Sequence, residues 1–133
     1  MTAAATTLGI DLGTSELKLA LVDADGALVA GAGAPLKVSR PHPHWAEQLP
    51  GDWWRALLAA AGTLRASHPA AWAGVRAIGL SGQMHGAVLL GAQDEVLRPA
   101  ILWNDGRSHA ECAEMEAAAP RLHDIAGNLA MPG

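Results

Sequence analysis

The 133 residues carry 9 Lys plus Arg against 13 Asp plus Glu, a formal net charge of −4, with 50% hydrophobic and 17% charged residues. That is the length of one domain, spanning 1–133, and the composition excludes an intrinsically disordered chain. The acidic balance excludes a duplex nucleic-acid binder and an anionic-membrane binder, which both need a basic face.

Leu8 to Leu12 is a short apolar run broken by Asp11 and followed by Gly13-Thr14-Ser15. Leu17, Leu19 and Leu21 then alternate with Lys18, Ala20 and Val22, which predicts a strand. Asp25-Gly26 is a hairpin signal, and Ala27 to Val38 reads as a third extended segment. Three strands joined by tight turns predict an antiparallel meander. Ser39 to Gly51, rich in Pro and His, reads as an exposed loop. Asp52 is placed to cap a helix whose buried face is Trp54, Leu57, Leu58, Ala61 and Leu64, with His68-Pro69 as its stop. Val75 to Leu80 predicts a buried strand reached by a crossover through that helix. Ala87 to Leu90, Val96 and Ala100 to Trp103 read as short extended pieces around a turn at Ala92 to Glu95. Ser108 to Ala119 predicts a second helix stopped by Pro120, and Leu122 to Gly133 reads as a tail without a further element. The order predicts an α/β domain, a mixed sheet with flanking helices.

Cys112 is the only cysteine, so no internal disulfide can form, which fits a reducing cytoplasm. Met1 to Ala5 lacks the basic start of a signal peptide, and no run of about eighteen apolar residues predicts a membrane span. A soluble cytoplasmic protein is expected.

Three motifs carry chemistry. In Gly9-Ile10-Asp11-Leu12-Gly13-Thr14-Ser15, glycine permits close approach, and amides with two hydroxyls suit phosphate oxygens. Asp11 could hold Mg²⁺ or its water shell beside them. A plain hairpin uses the same residues. Lys18 adds a cation on that ribbon, although alone it reads as a solvated strand lysine. In Gly82-Gln83-Met84-His85-Gly86, which follows a predicted strand, Gln83 and His85 suit polyol hydroxyls and Met84 the carbon chain. The other reading is a glycine-rich turn with a surface histidine. In Trp103-Asn104-Asp105-Gly106-Arg107, an indole beside Asn, Asp and Arg suits a sugar's C–H face and hydroxyls. Asp105 or Ser108 capping the following helix is compatible with that.

Other patterns fail. His42-Pro43-His44 and the pair His109 and Cys112 each lack a third metal ligand. Cys112 has no identifiable base to make it a nucleophile. Neither a Walker-type P-loop nor a dinucleotide-binding glycine fingerprint is present.

In this order the motifs resemble the N-terminal part of the FGGY carbohydrate kinases, and among them the xylulokinases. Ser39-Arg40-Pro41-His42-Pro43, Trp45, Glu47, Gln48, Trp53-Trp54, the run from Arg98 to Arg107 and the closing Gly127 to Gly133 extend the likeness over nearly the whole chain. The resemblance implies the ribonuclease-H-like half of the actin-like ATPase fold shared by sugar kinases and Hsp70. It implies phosphorylation of D-xylulose by MgATP, with Asp11 on the Mg²⁺–phosphate side and Gly13, Thr14, Ser15 and Lys18 around the phosphates. Gln83, Met84, His85, Trp103 and Asp105 would face the sugar. It also implies a far longer protein, whose catalytic base and second lobe lie outside this chain. Ribulose, glycerol and gluconate kinases share the outline, and a non-catalytic polyol-binding or interaction module is the alternative. The chain alone is expected to be inactive without the missing lobe or a second chain that supplies it.

Overall fold

A computed structural model describes residues 4–132. By contacts they form two compact units: one takes the chain up to Lys37 and from Pro50 to Gln83, the other takes Val38–Leu49 and the chain from Met84 onward.

In the first unit, β1 (Thr6–Leu12), β2 (Glu16–Asp23) and β3 (Leu28–Pro35) form the expected antiparallel meander. Further along the chain comes β5 (Val75–Gly82), parallel to β1, in a sheet of order β3-β2-β1-β5. Alternation on β2 buries Leu17, Leu19 and Leu21 to 2%, 3% and 0% exposure, and Leu8 of β1 joins them. The β2–β3 turn closes with Asp23 N–H donating to the Ala27 carbonyl, and Gly26 takes the positive φ of 84° that such a turn requires.

Helix α1 (Pro50–Ser67) packs on β2 and β3. Alanine and leucine favour it, Pro50 suits its first turn, and His68-Pro69 ends it before the short α2 (Pro69–Ala73). Its inner stripe is Ala56, Ala60 and Leu64, with Trp53, Leu57 and Ala61 partly covered. The expected face is therefore rotated, for Trp54 and Leu58 are 62% and 55% exposed. Small alanines let the helix backbone approach the sheet, and a search for large apolar residues underweights them. Asp52 lies inside the first turn, where it pairs with Arg55, because the helix starts at Pro50.

A further expectation is corrected here. β5 is a strand but not a buried one: Ile78 and Leu80 are 61% and 80% exposed. It is the edge of the sheet, outside the cover α1 gives to β2 and β3.

In the second unit, the loop expected from Ser39 to Gly51 contains β4 (Glu47–Gln48), antiparallel to β6 (Ala100–Ile101). Ala46, Glu47 and Gln48 are buried, although Pro41 to His44 are exposed as expected. The extended pieces after Ala87 appear as single bridges, Ala87 with Ile101 and Leu90 with Val96. Helix α3 (His109–Ala118) matches the second predicted helix. The tail is not featureless: α4 (Leu122–Ala126) occupies it and ends at Gly127, whose φ is 69°. Gly133 lies outside the described residues.

Candidate functional site

The first candidate place is the turn between β1 and β2. Asp11 sits near the end of β1, in register with Lys18 of β2 and Ser81 of β5. It is exposed, and with Lys18 and Ser81 it lines a depression of about 500 Å³. Lys18 also lies 3.7 Å from Glu16, an exposed pair of small energetic weight. Gly13 is needed for steric reasons, since a Cβ there would lie 2.8 Å from the Glu16 carbonyl oxygen. Its amide is committed to that same carbonyl at 3.1 Å, so it closes the turn. Ser15 is exposed and accepts from Leu36 N–H through its carbonyl. The Thr14 hydroxyl donates to Gln83 Oε1 at 3.0 Å, and Gln83 N–H donates to the Leu12 carbonyl at 2.7 Å. The turn between β1 and β2 is thus bonded to Gln83, just past the end of β5 in the same unit.

The second place lies within the other unit. Met84, His85, Trp103 and Asp105 line one pocket of about 730 Å³, together with Arg40, His44, Asn104 and Met131. Met84 and Trp103 are 57% and 45% exposed, offering a thioether and an indole to a ligand. His85 and His44 hold φ values of 61° and 66°, in the left-handed region that L-residues avoid. Such strain gathers where surrounding contacts over-determine a backbone. For His44 one contact is visible: its carbonyl accepts from Gly106 N–H at 2.7 Å, and a Cβ on Gly106 would come within 3.2 Å of the His44 Cβ.

Beneath this pocket runs a network of charges. Asp105 is 2% exposed and accepts four N–H bonds, from Ala46 N, Arg107 N, Arg107 Nε and Arg107 Nη2. The Arg107 side chain holds its carboxyl at about 2, below the ordinary 3.8, outweighing burial, which pushes the other way. Arg107 is in turn raised above its ordinary value, chiefly by Asp105. It also reaches Glu47 Oε1 at 2.8 Å, as does Arg98 at 2.6 Å, and lies 3.7 Å from the Trp45 ring centroid. Asp105 therefore shapes the wall and has no lone pair to spare for a hydroxyl. It also does not cap α3. Ser108 stands at the cap position, but its hydroxyl donates to the Pro132 carbonyl.

Sequence reasoning gave no sugar role to Arg40, His44 and Met131 of this pocket, and it named Asn104 only as part of the Trp103 to Arg107 motif. His44 was hidden in a stretch read as a solvated loop, and only its long-range bond to Gly106 gives it away.

Residues 6–133 match the N-terminal domain of the FGGY family of carbohydrate kinases. The chain belongs to that family. It is 52% identical over 126 residues to a xylulose kinase of Escherichia coli strain K12, covering 95% of this chain and 26% of that protein. A xylulose kinase of Klebsiella pneumoniae is 48% identical over the same shares. The crystal structure of a xyloylose kinase from Brucella ovis superposes with a TM-score of 0.92 at 51% identity, over 96% of this chain and 26% of that one. The chain thus spans about a quarter of the length of these relatives. The meander, the parallel β5 and the crossover through α1 are accordingly the ribonuclease-H-like half of the FGGY, actin-like ATPase fold.

Proposed function

We propose that this chain is the N-terminal part of a sugar kinase that transfers the γ-phosphoryl group of MgATP to D-xylulose, giving D-xylulose 5-phosphate and ADP. The observation that carries the reading is the convergence of Met84, His85 and Trp103 on one pocket. An indole and a thioether supply apolar contact for carbon, and an imidazole supplies a hydrogen bond for a hydroxyl.

On the phosphate side the reading assigns Asp11, Thr14, Ser15 and Lys18, with Gly13 shaping the turn. Asp11, exposed near the end of β1, would hold a Mg²⁺ through its carboxylate, with phosphate oxygens and water beside it. That fits the ion, which keeps several waters and commonly uses one or two carboxylates plus phosphate oxygens. When bound, it would neutralise charge on the transferred group. The exposed hydroxyl of Ser15 and the ammonium of Lys18 would add a hydrogen-bond donor and positive charge toward the phosphates.

The test is a coupled ADP assay on the product of the complete reading frame, run across D-xylulose, D-ribulose, glycerol and gluconate. Preferred turnover of D-xylulose is expected. Faster use of glycerol or gluconate would move the substrate assignment, and no sugar-dependent ADP would end the kinase reading.

A further inference from the structure

Resting on the sugar-kinase reading and deepening it, we infer that Asn104 contacts the sugar directly and sets which hydroxyl pattern the pocket accepts. Its amide has two donor N–H groups and an acceptor oxygen. Oδ1 is buried and has no hydrogen-bond partner among the described residues, and Nδ2 makes no hydrogen bond to them either. Folded proteins leave few buried polar atoms unpaired, and each calls for an explanation.

The structural explanations are taken by its neighbours. A side chain in this turn is expected to accept a backbone N–H two residues on, and Asp105 does that with Arg107 N at 2.9 Å. Asp105 also anchors the turn to Ala46. Asn104 supports none of this, yet lies between Trp103 and Asp105 in the lining of the pocket that holds Met84 and His85. Among the described residues the other orphaned buried atom is Arg107 Nη1, but Arg107 does not line the pocket and its remaining nitrogens are spent on Asp105 and Glu47. A sugar hydroxyl both donates and accepts, so it can satisfy the Asn104 amide once the side chain turns its buried oxygen toward the pocket. With the indole next to it, the amide selects a ligand that has a hydroxyl beside an exposed C–H face.

The experiment uses the product of the complete reading frame as wild type, Asn104→Ala and Asn104→Leu. D-Xylulose binding is titrated directly, and KM, kcat, the KM for ATP and Tm are measured alongside. Both variants should bind D-xylulose about tenfold more weakly or worse. The KM for ATP and Tm should hold, because the Asn104 amide oxygen bonds to none of the described residues. Monodeoxy pentuloses then locate the contact: one analogue should lose affinity for wild type and lose no more for the variants. Wild-type binding with variants of equal sugar affinity would overturn the Asn104 contact alone. So would a fall in Tm and ATP affinity matching the sugar effect, since that marks a structural role. A wild type that binds no pentulose or polyol would overturn the kinase reading and this inference with it.

Discussion

Arg107 grips Asp105 through two parallel hydrogen bonds, Nε to Oδ1 at 2.8 Å and Nη2 to Oδ2 at 2.7 Å. The fork is buried: the side chains are 14% and 0% exposed. It fastens the turn that carries Trp103 and Asn104, because Asp105 Oδ2 also accepts from Ala46 N–H.

The first prediction concerns acid. The Asp105 carboxyl titrates at about 2 when folded against an ordinary 3.8. A depressed carboxylate contributes stability above its unfolded value and loses it as pH falls through the folded one. The contribution, about 2 kcal/mol, should be complete above pH ~4 and gone near pH ~2. Asp105→Asn should remove this pH dependence. At neutral pH it should cost about 3 kcal/mol, the lower end for breaking a buried pair, since Glu47 still engages Arg107. Amide exchange at Ala46 and Arg107, whose N–H groups Asp105 accepts, reads both effects locally. Protection unchanged in the variant would refute the clasp.

A second prediction concerns Gly13. Adding a methyl there places it 2.8 Å from a backbone oxygen, which no side-chain rotation relieves. Gly13→Ala should therefore open the β1–β2 turn and lower stability by about 1–3 kcal/mol. In the full-length product the KM for ATP should rise more than that for sugar. A selective rise in the sugar KM would contradict the phosphate-side assignment of this turn.

The meander was legible because its signals are local. Leu17, Leu19 and Leu21 alternate, Asp25-Gly26 turns, and pairing follows between neighbours in sequence. The clasp was not. Glu47 meets Arg98 and Arg107 across 51 and 60 residues, and nothing in the Pro- and His-rich stretch before it suggests burial. The same distance effect misplaced Asp105. As a residue type beside Trp103 it suits a hydroxyl, but only the folded chain shows four donors already bonded to it. The α1 face was missed by one position, since Ala56 and Ala60 gain burial through closeness to the sheet rather than through size.

The third prediction separates ring from backbone at His85. Its imidazole lines the pocket while its backbone sits at a φ of 61°. His85→Ala keeps the backbone strain and removes the ring, whereas His85→Gly removes both. If the imidazole bonds a sugar hydroxyl, both variants should lose about 1–3 kcal/mol in kcat/KM for D-xylulose, with little change toward ATP. A loss confined to the glycine variant would credit the backbone instead, and no loss in either would retire His85 as a ligand.

The last prediction is that the 133-residue chain by itself does not phosphorylate D-xylulose. Phosphoryl transfer draws nearly all its rate from positioning the γ-phosphate, metal and acceptor hydroxyl together, with a residue placed to take the hydroxyl proton. Among the described residues, Asp105 is the only carboxylate lining the candidate sugar pocket. At about 2 it is too acidic to draw a proton from an alcohol, and its four bonded donors leave no lone pair aimed at one. Glu47, beneath it, is buried against two arginines. Loss of a general base commonly removes ~10²–10⁴-fold, before any loss of alignment. Sugar binding does not depend on that base, so titration of the chain with D-xylulose should show weak association that Trp103→Ala abolishes. The purified chain is incubated with MgATP and D-xylulose while ADP is followed. Turnover on the order of 1–100 per second, the ordinary range for kinases, would mean that a working base lies within these residues.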